Sequence, residues 1–84
     1  MDLRSHLTEI DGRVARDGAE TVRIAKFCHV SPYYLFMVAG GYKTASPELA
    51  ANIEHATSGN VDRRITLPEF PWDAPSRQQQ SNAA

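Results

Sequence analysis

Few residues of this 84-residue chain have side chains that do covalent or metal chemistry, and their spacing argues against most of it. The single cysteine, Cys28, adjoins His29, while His6 and His55 lie far away along the chain. Zinc sites recur as spaced ligand pairs, which a neighbouring Cys-His does not supply, so no metal site and no cofactor is expected. Cys28 reads instead as a small buried apolar residue. No Ser-His-Asp or Cys-His spacing supports a nucleophile, and no glycine-rich loop lies between a strand and a helix. Gly40-Gly41 follows a helical segment and reads as its C-terminal stop. Neither catalytic residues nor enzyme activity are therefore expected. The remaining chemistry is non-covalent, and it centres on Tyr33, Phe36 and Met37 in one short segment.

Five segments must position those side chains. A first helix over residues 2–10 places Leu3, Leu7 and Ile10 on one face, and Asp11-Gly12 ends it. Residues 13–18 form a polar connector. A second helix over residues 19–28 turns Val22, Ala25 and Cys28 inward with Ile24 beside them, leaving Arg23 and Lys26 outside. The third has the sharpest start: Ser31 as N-cap and Pro32 at the first helical position, with a stop at Gly40-Gly41. At about 100° per residue its Tyr34, Leu35 and Val38 cluster inward, so Tyr33, Phe36 and Met37 point out. Ser46-Pro47-Glu48 opens a fourth helix whose Leu49, Ile53 and Ala56 share a face, and Ser58-Gly59-Asn60 stops it. Residues 61–67 fit either a short strand or one helical turn capped by Asp62. Pro68 and Pro71 call for an extended segment in which Phe70 and Trp72 seal the core. The expected fold is all-α: a domain of four to five short helices over residues 1–72 with an extended C-terminal segment. Residues 73–84 are expected to be a disordered polar tail.

Composition bounds the class. Hydrophobic residues make up 42% of the chain, which marks it as globular rather than disordered. No apolar run nears the roughly 18 residues of a membrane helix, and residues 1–6 lack the apolar stretch of a secretory signal, so no membrane partner is expected. One cysteine fits a reducing, cytoplasmic location. Nine Lys and Arg against ten Asp and Glu leave a net charge of -1, weak support for a polyanionic partner. The bases are unevenly placed, however: six of the nine lie in residues 1–45, so an anionic partner would meet the first half.

Only His29 and Val30 separate the second helix from the Ser31 cap of the third, a spacing that makes the pair a helix-turn-helix or a plain helical hairpin. Ala25 suits the close crossing, with Val30 and Leu35 as apolar plugs. The stretch Ile24-Ala25-Lys26-Phe27-Cys28-His29-Val30-Ser31-Pro32-Tyr33-Tyr34-Leu35 resembles the helix-turn-helix of Cro-type phage repressors and YdaS-like antitoxins, within the lambda repressor-like DNA-binding class. Those proteins typically read I-A-x-x-x-G-V-S-x-x-Y-L there. The likeness continues through Val38-Ala39-Gly40-Gly41, Ser46-Pro47-Glu48-Leu49-Ala50, Ile53 to Gly59 and Val61-Asp62-Arg63-Arg64, and covers residues 1–72. His29 stands where the family usually has a left-handed glycine, a conformation His tolerates better than most residues.

The resemblance implies a phage or prophage-type DNA-binding transcriptional regulator, a repressor or antitoxin acting as a homodimer on a palindromic operator in double-stranded DNA. Residues 31–39 would be its recognition helix. Tyr33, Phe36 and Met37 would enter the major groove, while Thr21, Lys43, Arg23 and Lys26 would hold phosphates. Family members usually carry Ser, Gln, Arg or Lys at the outward positions, and often a run of arginines where this chain has Tyr42-Lys43-Thr44. The apolar substitutions support an alternative in which the Tyr33/Phe36/Met37 face binds another protein: a host regulator, RNA polymerase, a toxin or a second copy. In a purely structural variant, the segment through Phe70 and Trp72 folds back over that face.

Overall fold

The computed structural model describes residues 1–73, and within them the chain forms five helices and no strand. They are α1 (Leu3–Asp11), α2 (Ala19–Cys28), α3 (Pro32–Ala39), α4 (Pro47–Ala56) and α5 (Arg63–Thr66). The architecture is thus a small all-α domain. The central element is α2, which packs against α1, α3 and α4, while α5 packs on α4. Residues 74–84, most of the expected polar tail, lie outside the described residues.

The helix starts follow from short-range hydrogen bonds. Ser31 and Ser46 accept from the Tyr34 and Leu49 backbone N–H groups at 3.0 and 3.1 Å, each followed by proline at the first helical position. Asp2 caps α1 and Asp62 caps α5 in the same way, which settles residues 61–67 as a helical turn. The start of α2 is different, because its N-cap is Gly18, which has no side chain to offer. Asp11, at the end of α1, reaches across and accepts from the Glu20 N–H at 3.1 and 3.2 Å. A Cβ on Gly18 would collide with that carboxylate, so the glycine makes room for a cap borrowed from another helix.

Helix ends are equally local. His29 takes the left-handed conformation (φ 60, ψ 40), and the His29 and Val30 N–H groups close back on Lys26 and Ala25. Gly41 plays the same part after α3, with φ 85 and the Gly41 and Tyr42 N–H groups donating to Val38 and Met37.

The core joins Leu3 and Leu7 of α1, Ile24, Ala25 and Cys28 of α2, Leu35 and Ala39 of α3, and Leu49, Ile53 and Ala56 of α4, with Ala45 and Val61 from the loops. Val30, Tyr34 and Val38 pack against its edge. Leu7, Ile24, Leu35 and Ile53 are fully buried, each contributing about 1.5–3 kcal/mol relative to an exposed position.

Four sequence expectations give way here. Ile10 lies outside the core, 56% exposed, because α1 ends one residue later and turns His6 inward beside Leu3 and Leu7. Val22 is 41% exposed, since the buried stripe of α2 runs Thr21, Ile24, Ala25, Cys28, a regular i, i+3, i+4, i+7 set entered by a polar residue. Residues 67–73 turn rather than extend, with the Phe70 N–H donating to Leu67 and the Trp72 N–H to Phe70. Phe70 and Trp72 do not seal the core. They stay half-buried, pack on each other at 4.6 Å, and are held by the Trp72 Nε1–H donating to Leu67 and by the Arg63 guanidinium over the indole. That cluster sits on α5, and Phe70 and Trp72 do not cover α3.

Candidate nucleic-acid interface

Tyr33 lies in the first turn of α3 and is 52% exposed. One helical turn on, the Phe36 ring lies 6.4 Å from that of Tyr33, with their planes inclined by 28°. Phe36 and Met37 do not stand fully clear of the surface as the helical wheel implies; both are half-buried. Part of the reason is the connector between α1 and α2, which returns alongside α3. Val14, Ala15 and Arg16 share with Phe36 the walls of a cavity of about 360 Å³, together with Arg13 and Asp17. Periodicity carries no information about where an irregular segment lies, so the sequence does not place the connector.

The connector also brings charge. The Arg16 guanidinium carbon lies 5.8 Å from the centroid of the Tyr33 ring, within cation–π range, and the side chain is otherwise exposed. At the other end of α3, Lys43 and Arg4 line a groove of about 380 Å³ whose floor includes Val38, Ala39 and the Gly40-Gly41 turn. Lys26 is exposed on α2. Among the described residues Arg4, Arg13, Arg16, Lys26 and Lys43 make no ion pair, whereas Arg23, Arg63 and Arg64 all do. These unpaired bases all fall within residues 4–43.

Two of the residues expected to hold phosphates are engaged elsewhere. Thr21 is fully buried on the inner stripe of α2, its hydroxyl without a hydrogen-bond partner among the described residues, and cannot reach an external phosphate. Arg23 is half-exposed, but its guanidinium makes two bonds to Glu20, at 2.7 and 2.8 Å, and one at 2.7 Å to the Ala56 carbonyl at the end of α4. Glu20 in turn receives His6 Nε2 at 2.7 Å, and the other ring nitrogen of His6 meets the Asn60 amide at 2.7 Å. With Asn60 donating to Nδ1, the consistent tautomer of His6 carries its proton on Nε2 and donates it to Glu20. The Arg23 guanidinium, opposed by burial and aided by His6, holds the Glu20 carboxyl at about 2, well below its ordinary 4.5. This clasp is structural: it ties α1, α2, the end of α4 and the α4–α5 loop together.

The remaining candidate groups are apart from α3. Burial pushes the Cys28 thiol up, away from the reactive thiolate. Among the described residues no three His, Cys, Asp or Glu side chains converge as metal ligands would, and no helix is long and apolar enough to cross a membrane. Comparison with family models, curated proteins and solved structures gives no match.

Proposed function

We propose that this domain is a DNA-binding transcriptional regulator of the phage or prophage type that its sequence resembles. It works in the cytoplasm, without catalysis, as a homodimer presenting two copies of α3 to a palindromic operator. The observation that carries the reading is the segregation of charge. Nine bases against ten acids suggest an indifferent surface, but the fold pairs Arg23, Arg63 and Arg64 and leaves Arg4, Arg13, Arg16, Lys26 and Lys43 without an ion pair among the described residues. On the acidic side, Asp2, Asp11 and Asp62 are engaged in capping helices and Glu20, Glu54 and Asp73 in ion pairs, which leaves only Glu9 and Asp17 unengaged within residues 1–45 among the described residues.

In this reading α3 enters the major groove, Tyr33 supplies a hydroxyl to a base edge, and Phe36 and Met37 lie against thymine methyl groups. Arg13, Lys26, Lys43 and Arg4 hold phosphates on either side, which sets register rather than sequence. The competing reading, a protein-docking face, draws on the exposed rings of Tyr33 and Tyr42 but loses area where Phe36 and Met37 are half-buried.

The test is binding to random-sequence duplex DNA at 50 and 200 mM salt. Each phosphate contact contributes about 0.9 to the log–log slope, so three to five contacts give a slope of roughly -3 to -4.5. Absence of binding at 50 mM by a folded protein overturns the proposal. Loss of capture of a protein partner on Phe36→Ala with Met37→Ala, in the absence of DNA binding, would establish the competing one.

A further inference from the structure

The outward face of α3 has no side chain able to identify a guanine. Phe36 and Met37 present carbon and a weakly accepting sulfur, and Tyr33 a single hydroxyl. A guanine shows two acceptors in the major groove, O6 and N7, and the matching group is a cation that donates to both at once. The connector brings such a group to the first turn of α3. The Arg16 guanidinium rests 5.8 Å from the Tyr33 ring centroid, on a ring half open to solvent, and no acid among the described residues pairs with it. The first turn is the part of a recognition helix that meets base edges. Stacking on an aromatic ring limits the guanidinium's freedom while leaving its donor edge available, so less entropy is lost when a base is bound.

The geometry points to Arg16 as the guanine-reading residue of this domain, a base contact lent to the recognition helix by the α1–α2 connector. Tyr33 is then a platform as well as a contact, and Phe36 and Met37 read thymine methyl groups beside the guanine. Arg13 lines the same cavity as Phe36 but is not stacked on the Tyr33 ring, and it serves as a phosphate anchor. The inference rests on the DNA-binding reading above, and one experiment separates their failures.

Full-length wild type, Arg16→Ala, Arg16→Gln and Arg13→Ala are each used to select sites from a random duplex library, with helicity checked by circular dichroism. Arg16 is exposed, so all variants should fold. Wild type should select a guanine at one position of each half-site. Arg16→Ala should lose that preference by about tenfold or more, and Arg16→Gln should move it towards adenine, whose N6 and N7 match a carboxamide. Arg13→Ala should bind the wild-type site more weakly without changing it. If wild type selects sites lacking a guanine, or if Arg16→Ala and Arg16→Gln keep the wild-type preference and lose only affinity, the inference is overturned and DNA binding stands. If wild type binds no duplex at 50 mM salt, both fall.

Discussion

At residue scale, His29 and Ser58 are the non-glycine residues with left-handed φ among the described residues, His29 with φ 60 and ψ 40. A left-handed residue bearing a Cβ costs about 1–2 kcal/mol, and glycine avoids this while giving back about 0.5–1 kcal/mol in unfolded-state entropy. The side chain is exposed and makes no hydrogen bond among the described residues, so little offsets the strain. His29→Gly should therefore stabilise the domain by about 0.5–1 kcal/mol, raising the thermal midpoint by roughly 3–6 °C. A lowered midpoint would mean that the imidazole makes a contact worth more than the strain. The conformation is the one the family resemblance implies, since His29 stands where those proteins usually have a left-handed glycine. The burial of Thr21 is not legible in the sequence: counting apolar residues skips a threonine, although its hydroxyl-bearing side chain fills the apolar stripe as valine would.

At the scale of elements, α3 and α4 cap themselves and α2 does not. The start of α2 depends on Asp11 reaching it from α1 through the space that Gly18 leaves open. Gly18→Ala should displace that carboxylate and cost about 1 kcal/mol, the usual loss for an N-cap, despite alanine's better helix propensity. Urea unfolding measures it, and an unchanged midpoint would show that water replaces the cap without loss. The same Asp11 contact closes the connector between α1 and α2 at its two ends, and the connector lies beside Phe36 and Tyr33 of α3. Arg16 lies within this closed segment, next to Tyr33. Residue spacing shows residues 13–18 as a polar connector with room for a helical turn, but a segment without period has no face that a sequence can assign.

At the scale of the whole molecule, the His6–Glu20–Arg23 clasp with Ala56 and Asn60 links chain segments that local hydrogen bonding leaves independent. Glu20 sits at about 2 in the folded protein against an ordinary 4.5, so its contribution is complete above pH 4.5 and is lost as pH falls towards 2. Undiluted, that displacement is worth roughly 3 kcal/mol; water around the half-exposed Arg23 screens it to about 1–2 kcal/mol. Glu20→Gln should lower the thermal midpoint at pH 7 and flatten its decline between pH 5 and pH 2, as followed by circular dichroism. Parallel pH profiles for the two proteins would remove Glu20 from the acid-sensitive set. The clasp includes no residue of α3 or of the α1–α2 connector, so the same variant should leave the site preference of a folded protein unchanged.

The sequence by itself determined α1 to α4, the serine caps of α3 and α4 and the glycine stops that follow α1 and α3. Each of these depends on bonds between residues no more than about five apart, whose partners are adjacent in any conformation the chain tries. Only the tertiary structure decided which bases remain available to a polyanion. Arg23 bonds a carbonyl 33 residues away, and His6 an amide 54 residues away, while Arg16 reaches Tyr33 only because the connector folds back. Such pairings are set by how helices stack after they form, and neither period nor spacing records them. A chain whose charges almost cancel thus keeps Arg4, Arg13, Arg16, Lys26 and Lys43 without an ion pair among the described residues, and the DNA-binding proposal rests on these cations.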